Sequence, residues 1–319
     1  MRIHAVTASL AAGVLAVAGL SWTPTTAAAA ITCNGYTATI VGTESRDYLE
    51  GTPGRDVIVA LGGDDRIYGR GGADIVCGGS GADVIHTESD TGRGDANAWV
   101  DAGSGDDYVS AGTGNDILIG GSGFDRLYGG EGSDRLDGGG GDDVLYGGSG
   151  NNVLLGGSGA DYLDTEGGVD VLVGGTGDDR LFSGAGNDRL DAGAGADALY
   201  GEAGNDVLLA GSGNDYLNGG SGNDRLTCGS GSDRAYAGSG NDVVLGGSGD
   251  DVLFGERGND HIDAGSGRDY LSGGAGRDLL EGRTGRDRIF GGSGKDTVAQ
   301  GSVKSSVQRR WYKRVGKLR

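Results

Sequence analysis

Proline is nearly absent from this chain, two residues in 319, while glycine supplies 73. That pairing excludes a collagen-like helix, which needs glycine at every third position and abundant proline. Aromatic residues are 6% of the chain, and large aliphatic residues recur mostly once in nine positions. Such a supply cannot fill a thick globular core. It can fill a thin stack with one inward residue per half-turn. Only His86 and His261 follow residue 30, far apart and in no HExxH arrangement, which excludes the zinc-protease class. Gly–Ser–Gly runs such as the one within Gly120–Gly123 lie inside a repeat, where the serine is a loop spacer and not a nucleophile. No non-repeat segment is long enough for a catalytic domain, so the expectation is a protein that is not an enzyme.

Bases are scarce where acids are plentiful. Formal net charge is −20, and residues 299–319 hold seven Lys/Arg and no acid, while Met1–Ala30 holds only Arg2. The body between them therefore sets 46 acids against 18 bases. Phosphates would repel such a body, which excludes nucleic acid as its partner. It should seek cations.

What is present is a repeat. From Asp107 every ninth residue is aspartate as far as Asp296, with Asn152 the one exception. An aliphatic residue follows two positions after each, as at Leu118, Leu127, Leu136 and Leu145, with Ala235 in place of the larger side chain. A typical unit reads GGSGNDRL at Gly219–Leu226. A fixed period of nine marks a solenoid. The phase extends back through Asp83, Asp74, Asp65 and Asp56 to Asp47. It slips between Asp83 and Asp107, where Ala98 and Val100 occupy a degenerate unit and the surplus at 86–97 reads as an inserted loop.

The flanks differ from the body. Met1–Ala30 has the form of a secretory signal peptide: Arg2, the apolar run Ala5–Leu20, a break at Ser21–Thr26, and Ala28-Ala29-Ala30 before a start at Ile31. Export implies a secreted, extracellular or wall-associated protein with no membrane-spanning segment once the signal is removed. Residues 31–46 read as an N-terminal cap with a strand over Thr37–Val41. Cys33 and Cys77 are the expected disulfide pair of an exported chain, and Cys228 is left as a small buried residue. The repeats fill 47–298. The basic end 299–319, with Trp311, Tyr312, Val315 and Leu318 among its charges, is either a short amphipathic cap or a tail.

In each nonamer the residues around the aliphatic position should be extended, with that side chain inward and its neighbours outward. Glycines turn the chain, and two nonamers close one flattened coil of 18 residues. Successive coils then pair as parallel strands, and aspartates 18 residues apart lie about 4.7–4.9 Å from one another. Like charges at that spacing repel by roughly 1 kcal/mol per pair in water and about 3–4 at an effective dielectric of 20. Over many coils this rivals the whole stability of a typical domain, about 5–15 kcal/mol. Divalent cations between the rungs reverse the sign, and an all-oxygen shell suits Ca²⁺ better than Mg²⁺. A lone turn aspartate has a simpler explanation, the acceptance of backbone N–H groups. More than twenty in phase do not.

These residues resemble the RTX, or haemolysin-type calcium-binding, nonapeptide repeat GGxGxDxUx over Thr43–Val298. The resemblance implies an all-β fold, a parallel β-roll (a β-solenoid of 18-residue coils), with many Ca²⁺ ions bound along both edges. It places metal-ligand aspartates at Asp56, Asp65, Asp74, Asp83, Asp107, Asp116, Asp125, Asp134 and Asp143. The series continues at Asp161, Asp170, Asp179, Asp188, Asp197, Asp206, Asp215, Asp224, Asp233, Asp242, Asp251, Asp260, Asp269, Asp278, Asp287 and Asp296. Carbonyl ligands would come from loops such as Gly120–Gly123 and Gly246–Gly249. Asp47, Ala98 and the Thr165-Glu166 replacement before Asp170 depart from the pattern and should give weak or absent sites. The opening CNGYTATIVGT is similar to that of secreted actinobacterial members.

The function this implies is calcium-driven folding outside the cell, in a structural or adhesive role. The alternative is attachment of the roll to anionic cell-wall polymer or surface through Lys304–Arg319. A non-catalytic remnant of an RTX enzyme or toxin is a further alternative. Ice or polysaccharide binding by a flat face is disfavoured, because the outward residues Val207, Leu209, Tyr216, Asn218, Arg225 and Thr227 show no regular threonine or aromatic array.

Overall fold

A computed structural model describes residues 30–88 and 97–300; the expected signal segment before Ala30, most of the inserted loop and the basic end from residue 301 lie outside them. Among the described residues two parallel sheets of 15 and 16 strands run the length of the roll, with successive nonamers alternating between them. Registers advance by 18 residues per rung: Leu118 pairs with Leu136, Leu127 with Leu145, and Gly121 with Gly139. The two sheets face each other across a core one side chain deep. The aliphatic position of nearly every nonamer lies in that core, with Leu118, Leu127, Leu208 and Leu217 fully buried and Val298 of the last unit exposed.

The strands are longer than the three residues expected. Ile117–Ser122 and Arg126–Glu131 are typical six-residue strands. The leading glycines of the next unit remain extended and paired, and they add a second inward position. It is filled by Gly120, Ala192, Ala210, Cys228 or Ala264, all buried. Only the GSG tip turns, at Gly121 (φ 111°) and Gly123 (φ 130°). There a Cβ on Gly123 would collide with the Gly105 carbonyl of the coil below.

The N-terminal cap also differs from expectation. The segment Thr37–Val41 is not one strand. Thr32–Cys33 pairs antiparallel with Tyr36–Thr37, whereas Ile40–Val41 joins the 16-stranded sheet as its first rung, with Ile40 beside Ile58. The small hairpin lies on the outer face of the early coils and not across the end of the stack. It covers Val57, Val59 and Ile75 with Cys33, and Cys33 is bonded to Cys77. The inserted loop is shorter than 86–97, because His86 closes the strand Val84–His86. At the other end Ala299 belongs to the last strand, Thr297–Ala299, and not to the basic segment.

The outer face of the 15-stranded sheet carries a regular aromatic array, contrary to expectation. One ring from each coil joins an unbroken ladder from Tyr48 to Phe290, with His86 as its third member. Centroids are 4.6 Å apart at Phe182–Tyr200 and 5.8 Å at Tyr146–Tyr162. The flattest pairs, Tyr128–Tyr146, Phe182–Tyr200 and Tyr236–Phe254, recur every 54 residues. That super-period of three coils emerges only when the outward residues of the two sheets are separated. Read separately, Val207, Leu209, Arg225 and Thr227 fall on the other sheet.

Candidate metal centre

The aspartate of each nonamer enters the loop just before its strand, and the coil above covers it. From Asp65 to Asp278 these side chains are 0–2% exposed. They form two columns, one along each edge of the roll. The two oxygens of each carboxylate have different surroundings.

Oδ1 accepts a backbone N–H, but not from its own turn. The Asp107 N–H donates to Asp125 Oδ1 at 2.9 Å, and the Asp206 N–H to Asp224 Oδ1 at 2.9 Å. The same bond spans the insertion, where the Asp83 N–H reaches Asp107 Oδ1 at 2.7 Å. The six extra residues therefore leave the coil above undisturbed. The expected explanation of an isolated turn aspartate thus accounts for one oxygen of the two.

Oδ2 has no such partner. At Asp65, Asp107, Asp125, Asp143, Asp206 and Asp224, among many others, it is buried without a hydrogen-bond donor. Burial, reinforced by the neighbouring aspartates of the column, pushes the carboxyls of Asp107, Asp143 and Asp206 up to about 7. It pushes those of Asp125 and Asp224 up to about 6. An uncompensated buried charge costs several kcal/mol, and a domain has only about 5–15 kcal/mol to lose. A column of such groups must be protonated or must hold cations.

Asn152 shows what surrounds Oδ2. Its Oδ1 accepts the Asp134 N–H at 2.9 Å, as an aspartate would. Its Nδ2 then donates to the carbonyls of Gly148 at 3.2 Å and Gly150 at 3.4 Å. Where asparagine places a donor toward two loop carbonyls, every aspartate of the series places a second acceptor. Near Gly201, the Asp206 Oδ2 and the Gly219 carbonyl face the space where a Cβ would lie, at 2.7 and 2.8 Å. The donor set is all oxygen and partly anionic, which fits Ca²⁺. Among the described residues no three His, Cys, Asp or Glu side chains gather for a metal. Main-chain oxygen therefore has to complete any shell.

The ends of the columns are built differently. Asp47 Oδ2 is taken by the Thr43 N–H and hydroxyl, and Asp56 Oδ2 by the Thr52 N–H (2.6 Å) and hydroxyl (2.9 Å). Gln300 Nε2 donates to Asp287 Oδ2 at 2.7 Å. Asp56 and Asp287 belong to the expected ligand series, yet here protein donors occupy the oxygen a cation would need. At Ala98 the backbone N–H still reaches Asp116 Oδ1, but no carboxylate is supplied. Before Asp170 the buried Thr165 hydroxyl donates to the Ser183 carbonyl at 3.0 Å and fills space that glycine leaves open elsewhere. Gln300 lies outside the repeat and could not be read from it, whereas Thr43 and Thr52 replace the second glycine of the first two units, four residues before Asp47 and Asp56, and are a signal within the sequence.

A family model, RTX calcium-binding nonapeptide repeat (4 copies), matches this chain in successive segments from residue 34 to 298. No curated protein matches the chain. Among solved structures, the "X-ray crystal structure of a hyperactive, Ca2+-dependent, beta-helical antifreeze protein from an Antarctic bacterium" aligns over 86% of this chain and 89% of its own, at 20% identity and a TM-score of 0.32. The family match spans nearly all of the described roll and coincides with its paired coils. The chain belongs to the RTX calcium-binding nonapeptide-repeat family and is a calcium-binding β-roll protein.

Proposed function

We propose that this chain is an exported structural or adhesive rod, held loose where calcium is scarce and folded where calcium is abundant. The ions would be held along both edges by the aspartates from Asp65 to Asp278, with loop carbonyls completing each shell. Asp56 and Asp287 would hold them weakly, their Oδ2 atoms being already bonded. The observation that carries this reading is the buried Oδ2 without a donor, set among the carbonyls that Asn152 identifies. A non-catalytic role is supported by the histidines: His86 lies stacked in the aromatic ladder, and His261 lies on the other sheet beside Glu281. The signal-like Met1–Ala30 supports export, and the basic segment Lys304–Arg319 supports attachment to an anionic surface. Among the described residues no helix is long and apolar enough to cross a membrane.

The test is circular dichroism of the chain from Ile31 onward, titrated with Ca²⁺ and separately with Mg²⁺ at neutral pH. A cooperative gain of β signal at roughly 10⁻⁴–10⁻³ M Ca²⁺, with little response to Mg²⁺, is expected. A β signal already complete in chelator would refute calcium-driven folding.

A further inference from the structure

The C-terminal end of the roll is built unlike its length. Through most coils the residue just before the buried aspartate offers a side-chain oxygen or is small. Where it has an oxygen, it accepts an N–H from the next coil, as Asn205 Oδ1 does from Asn223 (2.8 Å) and Asp106 Oδ1 from Phe124 (2.9 Å). In the last coils this slot becomes Arg268, Arg277, Arg286 and Lys295, all exposed. Cationic side chains cannot accept that bond, so the ladder of acceptors is given up for charge.

Arg268 and Arg286 stand on one edge and Arg277 and Lys295 on the opposite one, so they flank the last coils from both sides. No ion pair involves any of the four among the described residues. The nearby carboxylates of Asp263 and Glu281 are both held by Arg283, at 2.7 and 2.5 Å. The last rungs between these cations expose two large apolar side chains, one on each sheet: Phe290, the last ring of the ladder, is 41% exposed, and Val298 is 42% exposed.

We propose that this end of the roll docks on an anionic phospholipid bilayer. Arg268, Arg277, Arg286 and Lys295 would meet the phosphates, and Phe290 and Val298 the apolar boundary beneath them. Cations around exposed apolar side chains match a surface that is anionic outside and hydrocarbon below. A hydrophilic polyanion would engage the rim and leave the two apolar side chains in water. Residues 301–319, with seven bases and no acid, offer no charge complementary to the rim. An end-to-end second copy would bring Arg46 and Arg55 against the same cations. The proposal rests on the calcium-folded β-roll, since the rim exists only when the last coils have formed.

The experiment is co-sedimentation of the chain from Ile31 onward with vesicles of phosphatidylcholine, alone or mixed with phosphatidylglycerol. One fixed calcium concentration and two ionic strengths are used, with circular dichroism of the same samples. Binding to the mixed vesicles, weakened by salt, is expected. R268Q/R277Q/R286Q/K295Q should lower partitioning roughly a hundredfold or more, and F290S/V298S should cause a smaller loss that salt does not alter. If the quadruple variant does not fold, R286Q and K295Q singly at the outermost rungs give the same test, each expected to cost about fivefold. Equal binding to vesicles without phosphatidylglycerol, or unchanged partitioning of the rim variants, overturns the proposal. So does complete loss of binding on deleting 301–319 with the rim intact. Retention on a polyol-phosphate polymer but not on vesicles also overturns it, in favour of a wall polymer. A chain that folds with calcium and ignores vesicles defeats docking alone, whereas one that does not fold with calcium defeats the underlying reading.

Discussion

Two acidic positions lie side by side in the loops of one edge, and they follow opposite rules. The exposed one alternates, Asp142, Ala160, Asp178, Ala196, so that no two carboxylates stand on adjacent coils there. The buried one does not, and Asp143, Asp161, Asp179 and Asp197 follow on every coil. Water screens the exposed position, where repulsion between neighbours is weak, and yet like charges are separated. In the buried position repulsion is stronger, and like charges are stacked. The difference is intelligible if cations lie between the buried carboxylates and none lies between the exposed ones. The outer face of the 15-stranded sheet gives a second contrast. Its rings pack against one another, mostly tilted and in four pairs stacked, and only the terminal ones, Tyr48 and Phe290, are strongly exposed. The edges where ions are proposed thus adjoin a face whose rings pack against one another without any.

The largest effect should come from removing calcium at different pH. Burial raises the carboxyl of Asp107 from 3.8 to about 7 and that of Asp224 to about 6. Without metal, the folded chain then holds protons that the unfolded chain has released, so stability falls as pH rises through that window. Circular dichroism in chelator should show β structure retained near pH 5 and lost near pH 8. The calcium requirement should be shallow at the lower pH and steep at the higher. Equal spectra at both would remove the electrostatic half of the comparison.

Asp224 separates the two roles of one carboxylate. Asp224→Ala removes the acceptor for the Asp206 N–H as well as the Oδ2 ligand, and should cost about 3–5 kcal/mol in saturating calcium. Asp224→Asn keeps the acceptor and, like Asn152, turns a donor toward the carbonyls. Chemical denaturation should find it near wild type in chelator near pH 5, where the metal-free chain stays folded, and destabilised relative to wild type with calcium at neutral pH.

The ladder should respond the other way. Tyr146→Ala breaks contacts with Tyr128 (5.0 Å) and Tyr162 (5.8 Å), worth roughly 1–3 kcal/mol together. Calcium titrations should show this loss at saturating ion, with the ion stoichiometry unchanged. A change in stoichiometry would mean that the face and the edge are not separate. Cys228→Ala should do least, below about 1 kcal/mol by thermal melting. Ala210 and Ala264 occupy the same buried column.

Much of this was legible in the order of residues. The nine-residue spacing of aspartate and leucine specifies the 18-residue coil, the parallel pairing and which side chains point inward, because strand periodicity and glycine turns leave little freedom. The columns of aspartate were legible as positions but not in the surroundings of each oxygen. That Oδ1 is used by the coil below and Oδ2 is not depends on the spatial relation of coils, which no local pattern states. The aromatic ladder was in the sequence as one ring per 18 residues. It is hard to see there because the ring sits one, three and three residues after the aspartate in successive coils, and the two positions meet only when adjacent strands are in register.

The sequence by itself determined the repeat, the coil and the family, since each follows from a short-range period enforced by backbone geometry. Only the tertiary structure decided that the N-terminal hairpin lies over a sheet face, that Gln300 closes the end of a column at Asp287, and that four cations flank the exposed Phe290 and Val298. Those features join residues from different coils or from outside the repeat. Their energies depend on burial and separation in space, which distance along the chain does not specify.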